Sequence, residues 1–573
     1  MTLLDWAIVI LLNGAIIAYG FRTVGNTTSK SDWFLGGRTL PWWALGMSMF
    51  ATSADNADFV SVTGHVYNNG LHILTVFTLA TVLGSCLAAF VIVPVMYRAG
   101  CLTNAEFLET RFGPGMRLFS ALIQIQYRTA VLGLMIWSIY LTLQELVGLP
   151  PWLAWTTIVC LVAASAAYTG LGGLSSVVWT DVLQSLVIIA GGVCLFVSVL
   201  SAVGGWSGLN ERLASLPPAE WDDDAGWVGS QQSDEIVKTT KDETAVTRPD
   251  TQPLTAWLHI GEFRNPASPV APLMLVLGWV IVGLGYYTVN HTQTVRLIAA
   301  RSLWDMKMAS MLGSSVGIPI MLITVLLGVC GRVLYPDLTA GEGRADELFP
   351  RLAADFLTPG FKGVVVAAIV SASLSTFDSI GSALAALFTH DIYGRWIRQG
   401  QSEEHYTRVS RWSTFGILAI GFLYIPFIIH QRNMVDATLS LIPVFITPLF
   451  TIYLLGAVTN VHRRSAIPGL VVGGAFGCLC LLARESEAFS WVPPIFSEKW
   501  YSYPWSVLVT ASTMLLVTLL LNRLYGRSEQ LQRSDTPSPD HALAESASKK
   551  RLAGGFAFML FVFSAWLIFG LFW

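Results

Sequence analysis

Residues 51–59 read ATSADNADF, inside a longer apolar stretch, LGMSMFATSADNADFVSVTGHVY, at residues 45–67. Two carboxylates, Asp55 and Asp58, fall three residues apart in a segment that is apolar enough to lie in a membrane. A carboxylate at the bilayer centre costs at least a few kcal/mol. Serine, aspartate and asparagine also compete for backbone hydrogen bonds, so this stretch is typical of a helix that breaks partway across the membrane.

The rest of the chain has the composition of a helical membrane protein. Of its 573 residues, 53% are hydrophobic and only 12% are charged, whereas globular proteins carry roughly 25% charged residues. The apolar runs are about 20 residues long, which is the length of helix that crosses a ~30 Å hydrocarbon core. We predict fourteen membrane helices, near residues 4–21, 42–66, 71–97, 117–145, 151–168, 177–203, 270–290, 308–331, 361–388, 412–429, 435–457, 466–483, 504–522 and 553–572.

The distribution of basic residues predicts the orientation. No Lys or Arg precedes the first apolar run, so we expect a retained helix rather than a secretory signal. With the N-terminus outside, the inside connections hold 21 of the 34 lysines and arginines, as the positive-inside rule requires. We therefore predict a multi-pass protein of the plasma (inner) membrane with both termini outside.

Several classes of function find no support in the sequence. The seven cysteines lack the spacing of a metal site, and no basic patch suggests a nucleic-acid partner. No nucleophile–base pair or HExxH motif indicates an enzyme. Because only about thirty polar residues follow the thirteenth predicted helix, we do not expect a signalling domain there.

Two further polar islands interrupt the apolar runs. In the first, five polar residues share one helical face, and hard cations prefer such oxygen ligands. They are Ser371, Ser375, Asp378, Ser379 and Ser382. The second, GLGYYTVNHTQTVR at 283–296, ends a helix, and we interpret His291 and Arg296 as residues at the inside interface. Arg128 is the one basic residue that we place deep in a span, and we expect it to pair with Asp55 or Asp58.

The spacing of the polar islands indicates a transporter. The helix that ends in GLGYYTVNHTQ comes five predicted helices after the helix at 42–66. Transporters built from inverted repeats bind substrate and ions at mid-membrane, where corresponding helices break. The sequence therefore predicts an all-α secondary transporter with a five-plus-five inverted repeat and a cation site.

Four motifs resemble the sodium/solute symporter family, which includes the sodium/glucose and sodium/proline transporters. They are FLGGRTLPWWALGMSMFATSAD, YTGLGGLSSVVWTDVLQ, SLSTFDSIGSALAALFTHDIY and PVFITPLFTIYLLGAVTN, and the resemblance runs from about residue 34 to 470. It implies a LeuT-like fold with one helix before the ten-helix core and three after it. We accordingly divide the chain into an extra N-terminal helix (1–30), the transport core (31–460) with an acidic extracellular loop (204–269), additional helices (461–522), a polar cytoplasmic linker (523–552) and a last membrane helix (553–573).

The resemblance also implies a sodium site between the first and eighth core helices. The ion would be held by the carbonyls of Ala51, Ala54 and Ala372 and the hydroxyls of Ser375 and Thr376. A second cation site would involve Asp181, Asp378 and Ser379.

For the solute, the resemblance places six residues at binding or gating positions. They are Ser53, Asp55, Asp58, Tyr286, Asn290 and Ser440. Most of the amide side chains that grip sugar hydroxyls in the sugar carriers are missing, which argues against a sugar. Asp58 would be neutralised by the substrate or by Arg128, while Asp55 has an alternative role as the N-cap of the half-helix after the break.

The expected function is Na⁺-coupled symport of a small polar organic solute, such as a sugar, an amino acid or a related compound, by alternating access. A proton-coupled carrier that uses Asp55, Asp58 and Asp378 is the nearest alternative, and a transporter-like solute sensor is a second one. We expect no cofactor beyond Na⁺ as the coupling ion, and no enzymatic activity. The expected partners are the solute and membrane lipid, and we expect the protein to work as a monomer.

Overall fold

The computed structural model describes residues 1–24, 30–69, 72–215, 272–336, 338, 345–429, 440–489, 491–497, 499–525 and 547–571. Over these ranges the chain is helical, and they contain no β-strand. Most of the acidic loop and most of the polar linker, with the predictions made for them, lie outside these ranges.

The helices follow one another with short connections. In chain order they are α1 (Leu3–Arg22), α2 (Lys30–Leu35), α3 (Trp42–Ser53), α4 (Asn56–Asn69), α5 (His72–Leu87), α6 (Val93–Arg98), α7 (Asn104–Phe112), α8 (Pro114–Glu145), α9 (Pro151–Val203), α10 (Gly205–Ser215), α11 (Pro272–Thr288), α12 (His291–Ile298), α13 (Leu303–Leu334), α14 (Leu348–Phe356), α15 (Phe361–Ala386), α16 (Glu403–Gly421), α17 (Ile425–Ile428), α18 (Thr447–Val458), α19 (Ala466–Glu485), α20 (Pro494–Ser497), α21 (Lys499–Tyr525) and α22 (Ala547–Leu571).

Among the described residues, nine helices are long and apolar enough to cross a membrane. Two shorter apolar helices, Leu277–Thr288 and Ile442–Val458, accompany them. Each of the fourteen predicted segments falls on one or more of the described helices, and the 53-residue α9 covers two of them. The multi-pass helical architecture is confirmed, whereas the count of fourteen spans stays a prediction.

Two helices break and restart within a few residues. α3 ends at Ser53 and α4 begins at Asn56, with Ala54 between them at φ −100° and ψ 71°, outside the helical region. α11 ends at Thr288 and α12 begins at His291. These are the two positions at which the sequence predicted corresponding breaks in an inverted repeat.

α9 changes direction at Gly173, inside the YTGLGGLSS motif. Gly173 has φ 62° and ψ −155°, a conformation that is open essentially to glycine alone. A Cβ atom at this position would also lie 2.4 Å from the Trp33 carbonyl oxygen. The bend thus separates the two predicted spans that α9 contains.

α5 and α11 touch through their backbones. A Cβ atom on Gly84 would lie 2.3 Å from the Gly283 carbonyl oxygen, and one on Gly283 would lie 2.3 Å from the Ala80 carbonyl oxygen. Small residues allow this close approach, which is common between membrane helices.

Candidate functional site

The first helix break leaves backbone groups available at its two ends. Because α3 has no further turn, its last carbonyl groups lack the helical N–H partners that would otherwise bind them. Asp55 precedes α4, and its Oδ1 accepts a hydrogen bond from the Asp58 backbone N–H at 2.9 Å. Asp55 therefore caps the second half-helix, which is the alternative role predicted for it.

The last turn of α3 packs against the polar face of α15. The hydroxyl oxygens of Thr52 and Ser379 are 2.8 Å apart. One turn earlier on α15, Thr376 Oγ1 donates to the Ala372 carbonyl at 3.1 Å, while Ser375 Oγ donates to Asp181 Oδ1 at 2.6 Å. The elements that carry the predicted sodium ligands are thus in contact. The sodium site itself stays a prediction.

Arg296 is buried in the protein, not at the interface predicted from the sequence. Its side chain is 0% exposed, and Nη2 lies 2.9 Å from Asp181 Oδ2, which is equally buried. Arg296 also donates to Ser48 Oγ at 2.6 Å and to Ser379 Oγ at 2.5 Å. The interface prediction for Arg296 is wrong because α12 turns this side chain inward, where it neutralises Asp181. His291, placed at the same interface, is buried as well.

Asp378 and Asp181, both predicted to belong to a second cation site, have different hydrogen-bond partners. The Asp378 carboxylate accepts hydrogen bonds from three hydroxyls on the first half of α9, those of Ser165, Tyr168 and Thr169. Asp181, on the second half of the same helix, shares none of these partners among the described residues. The two aspartates still interact electrostatically, and the Arg296 guanidinium lies beside Asp181 and Ser379. The second cation site stays a prediction.

A cavity of about 240 Å³ opens beside the first break. On the same measure a single water needs roughly 10–15 Å³, so the space suits a small organic solute and exceeds what one ion needs. Four of the six predicted solute residues line it, namely Ser53, Asp55, Asp58 and Tyr286. Much of the remaining wall is apolar, with Val62, Val131, Leu134, Met135, Ile318 and Met321.

Arg128 lines the same cavity as Asp55 and Asp58. It is 5% exposed, and its Nε and Nη2 atoms make no hydrogen bond. No ion pair within 4 Å joins it to either aspartate, although the three charges interact electrostatically. Arg128 therefore makes no direct ion pair with Asp55 or Asp58, and it acts on the two predicted partners through space instead.

Asn290 and Ser440 are not among the residues that line the cavity. Asn290 caps α12, with its side-chain oxygen accepting a hydrogen bond from the Thr292 backbone N–H at 3.1 Å. At the second break Asn290 thus caps the following half-helix, as Asp55 does at the first break. Ser440 is half-buried.

Sequence reasoning missed several polar residues of these clusters. Tyr127 and Tyr287 line the cavity, and Tyr168 holds Asp378. Tyr127 stands next to Arg128 in IQIQYRTAVLG. This pair of polar residues inside an apolar run could have indicated that Tyr127 lines the cavity. Tyr287 follows Tyr286 directly, yet the sequence does not show that two adjacent tyrosines both reach the same cavity.

Comparison with known proteins gives a consistent result. The model of the sodium:solute symporter family matches residues 33–473. Similar proteins include sodium/glucose cotransporter 4 of Danio rerio, 25% identical over 546 residues that make up 90% of this chain and 78% of the relative. Sodium/glucose cotransporter 2 of Rattus norvegicus is 27% identical over 88% of this chain and 75% of its own. The Homo sapiens sodium/myo-inositol cotransporter is 25% identical over 86% and 68%.

Two solved structures share the fold. A Na⁺-coupled sialic acid symporter in a substrate-bound outward-open state matches with a TM-score of 0.70 and 19% identity, over 92% of this chain and 100% of the other. A nucleobase-cation-symport-1 family transporter, closed around bromovinylhydantoin, matches with a TM-score of 0.52 and 12% identity, over 90% and 99%. At such identities the likeness shows the fold alone, and it confirms the predicted LeuT-like architecture.

Proposed function

This chain belongs to the sodium:solute symporter family, and we propose that it imports a small polar organic solute together with Na⁺ by alternating access. The observation that carries this proposal is the shared position of cavity and helix break. Ser53, Ala54 and Asp55 form the break and also line the cavity. Solute bound in the cavity and an ion bound at the break would therefore share one segment of backbone, which is a direct physical route for coupling.

We place the Na⁺ between the end of α3 and the polar face of α15. Its ligands would be the carbonyls of Ala51, Ala54 and Ala372 and the hydroxyls of Ser375 and Thr376. Support comes from the hydroxyl contact of Thr52 with Ser379, which holds the two elements together next to these groups. A Na⁺ that falls through ~100 mV releases about 2.3 kcal/mol, enough to concentrate a neutral solute roughly 50-fold.

Arg296 bears on the number of coupling cations. Its guanidinium already supplies a positive charge next to Asp181 and Ser379. We therefore propose one Na⁺ per transport cycle, with Arg296 standing where a second cation would otherwise be needed. Glucose and myo-inositol, which name two of the relatives, are the first neutral solutes to test.

The sodium site is tested by thermal unfolding of the purified protein in detergent, with Na⁺ titrated against K⁺ at constant ionic strength. A ligand of the folded state raises its stability, so Na⁺ should raise the melting temperature of the wild type. Ser375→Ala or Thr376→Ala should raise the Na⁺ concentration at half-effect by roughly tenfold, because each removes one oxygen from a charged ligand.

Ser382→Ala is the matched control. Ser382 lies on the same face of α15, and its hydroxyl donates to the Asp378 carbonyl at 2.8 Å, away from the proposed ligands. Its Na⁺ titration should match that of the wild type. If Ser375→Ala and Thr376→Ala both keep the wild-type titration as well, Na⁺ does not bind at this place.

Proton coupling is the second candidate, and Asp378 favours it. This carboxylate is fully buried, with hydroxyl groups as its hydrogen-bond partners and no ion pair to a described residue. If uptake into proteoliposomes follows a pH gradient and ignores Na⁺, and Asp378→Asn abolishes it, proton coupling replaces the sodium proposal.

We further propose that the protein is a monomer in the plasma (inner) membrane with both termini outside. The charge asymmetry of its connecting segments supports this orientation. Cysteine labelling with a membrane-impermeant reagent, at single cysteines introduced at each terminus, tests it in intact cells. If both introduced cysteines are protected from the reagent, both termini lie inside and the proposed orientation is wrong.

A further inference from the structure

The cavity is lined by charged groups of both signs, and no ion pair within 4 Å joins them. These groups are Asp55, Asp58 and Arg128. Asp55 is engaged as the cap of α4 through its hydrogen bond from the Asp58 backbone N–H. Arg128 is therefore the charged group of the cavity whose N–H donors lack an acceptor, and the two carboxylates exceed its single positive charge by one.

The environment of Arg128 is the stronger evidence for a charged solute. A guanidinium has five N–H donors in a planar fork that matches the two oxygens of a carboxylate. This one is 5% exposed, yet Nε and Nη2 have no acceptor. Buried polar groups are almost always paired, so a charged group without a partner beside an open cavity indicates an acceptor that arrives from outside the protein.

The charges of the solute follow by elimination. A neutral polyol offers no positive charge to balance the second carboxylate, a cationic solute offers no carboxylate oxygens to the Arg128 N–H donors, and an anionic solute adds a third negative charge. A solute with both charges supplies an acceptor for Arg128 and a cation for the carboxylates. The rest of the wall, with Tyr127 and Tyr286 among largely apolar side chains, screens such charges poorly and therefore makes their matching more important.

We infer that the transported solute is a zwitterion, whose carboxylate binds Arg128 and whose cationic nitrogen binds Asp58. This inference rests on the proposed function, because it assigns the solute of that same cavity. The volume of about 240 Å³ suits an amino acid or a betaine. The neutral sugars and inositols named for the relatives have neither charge.

The first experiment measures which solutes raise the melting temperature of the purified full-length protein, each in Na⁺ and in K⁺. The probes are the twenty standard α-amino acids, glycine betaine, glucose and myo-inositol. At least one zwitterion should stabilise the protein in Na⁺ and not in K⁺. For the strongest zwitterion, the corresponding carboxamide and the analogue without nitrogen are then compared at the same concentration, and both should bind at least about 30-fold more weakly.

Two substitutions assign the charges to residues. Arg128→Gln should weaken binding of the zwitterion by at least about 30-fold and leave the weak affinity for the carboxamide unchanged. Asp58→Asn should likewise weaken binding of the zwitterion by at least about 30-fold, and it should leave the weak affinity for the nitrogen-free analogue unchanged. Arg128→Lys, which keeps the charge and loses the planar fork, should fall between wild type and Arg128→Gln.

Stabilisation by Na⁺ alone reports that each variant is folded, since neither residue belongs to the proposed ion site. Asp305→Asn is the charge-matched control, because Asp305 binds Ser302 at the start of α13, outside the cavity. Binding of glucose or myo-inositol in Na⁺, with no zwitterion bound, would overturn this inference and leave the symporter proposal intact. A protein that binds zwitterions equally in Na⁺ and K⁺, with no effect of Na⁺ by itself, would instead contradict the sodium coupling.

Discussion

Replacing Arg296 by glutamine should be among the most destabilising single changes in this protein. Both Arg296 and Asp181 are 0% exposed, and their charged atoms are 2.9 Å apart. Removal of one partner of a buried ion pair costs about 3–5 kcal/mol, because the other charge stays buried without compensation. Asp181 keeps the hydroxyls of Ser48 and Ser375 as donors. We therefore expect the lower end, about 3 kcal/mol.

A double-mutant cycle separates this pairing from simple loss of volume. The free energy of unfolding is measured by tryptophan fluorescence during denaturation in mixed micelles, for Arg296→Gln, Asp181→Asn and the two together. Because the double variant has no unpaired charge, its loss should be smaller than the sum of the single losses by about 1–3 kcal/mol. Arg408→Gln, at an exposed position, is the control and should change stability by less than about 0.5 kcal/mol. Additive losses, or a loss below about 1 kcal/mol for Arg296→Gln, would show that Arg296 does not compensate Asp181.

Three further changes test other parts of the structure. Gly173→Ala should destabilise the protein by at least about 1–3 kcal/mol, because of its positive φ and the nearby Trp33 carbonyl. Gly554→Ala, where a Cβ would meet nothing within 4 Å, should have almost no effect on the same melting curve. Asp55→Ala should lower stability by about 1 kcal/mol through loss of the α4 cap, whereas Asp55→Asn, which keeps a capping oxygen, should cost less. Burial raises the pKa of Glu106, but the His390 imidazole 3.3 Å away, a hydrogen bond from the Leu102 backbone N–H and the charge of Arg117 together lower this pKa to about 2. Because the folded pKa lies below the unfolded value near 4.5, this stabilisation, at most about 3 kcal/mol, is present above pH ~4.5 and is lost as the pH falls toward 2. Glu106→Gln should flatten that part of the stability–pH curve, and an unchanged curve would contradict the assignment.

The two helix breaks could be predicted because their causes are local. Asp55 and Asn290 each supply a side-chain oxygen that caps the following half-helix, and such residues are visible in the sequence. The bend at Gly173 also lies within a glycine-rich motif that the sequence shows. The fold therefore follows largely from residues that act on their own neighbours in the chain.

The pairing of the buried charges could not be predicted, because it depends on distant residues. Arg296 lies near a helix end, where a basic residue ordinarily faces the membrane interface. It turns inward because Asp181, 115 residues earlier in the chain, lies beside α12 in the folded protein. On a helical wheel Asp378 shares a face with Ser375, yet the two side chains make hydrogen bonds with opposite halves of the bent α9. Which partner each one finds is determined by tertiary packing, and periodicity alone does not contain that information.

The backbone contact between Gly84 and Gly283 sets the distance between α5 and α11 where these helices form one wall of the cavity. This bears on how the protein can evolve. Gly283 and Ala80 both line the cavity, so at this wall the helix separation is determined by main-chain atoms. Exchange of other lining side chains changes the chemistry of the space and leaves this separation as it is. In a directed-evolution experiment, selection for larger solutes should therefore enrich changes at the two glycines, where one added methyl group moves a whole helix. Selection for solutes of different charge should leave the glycines alone and enrich changes at Asp58 and Arg128.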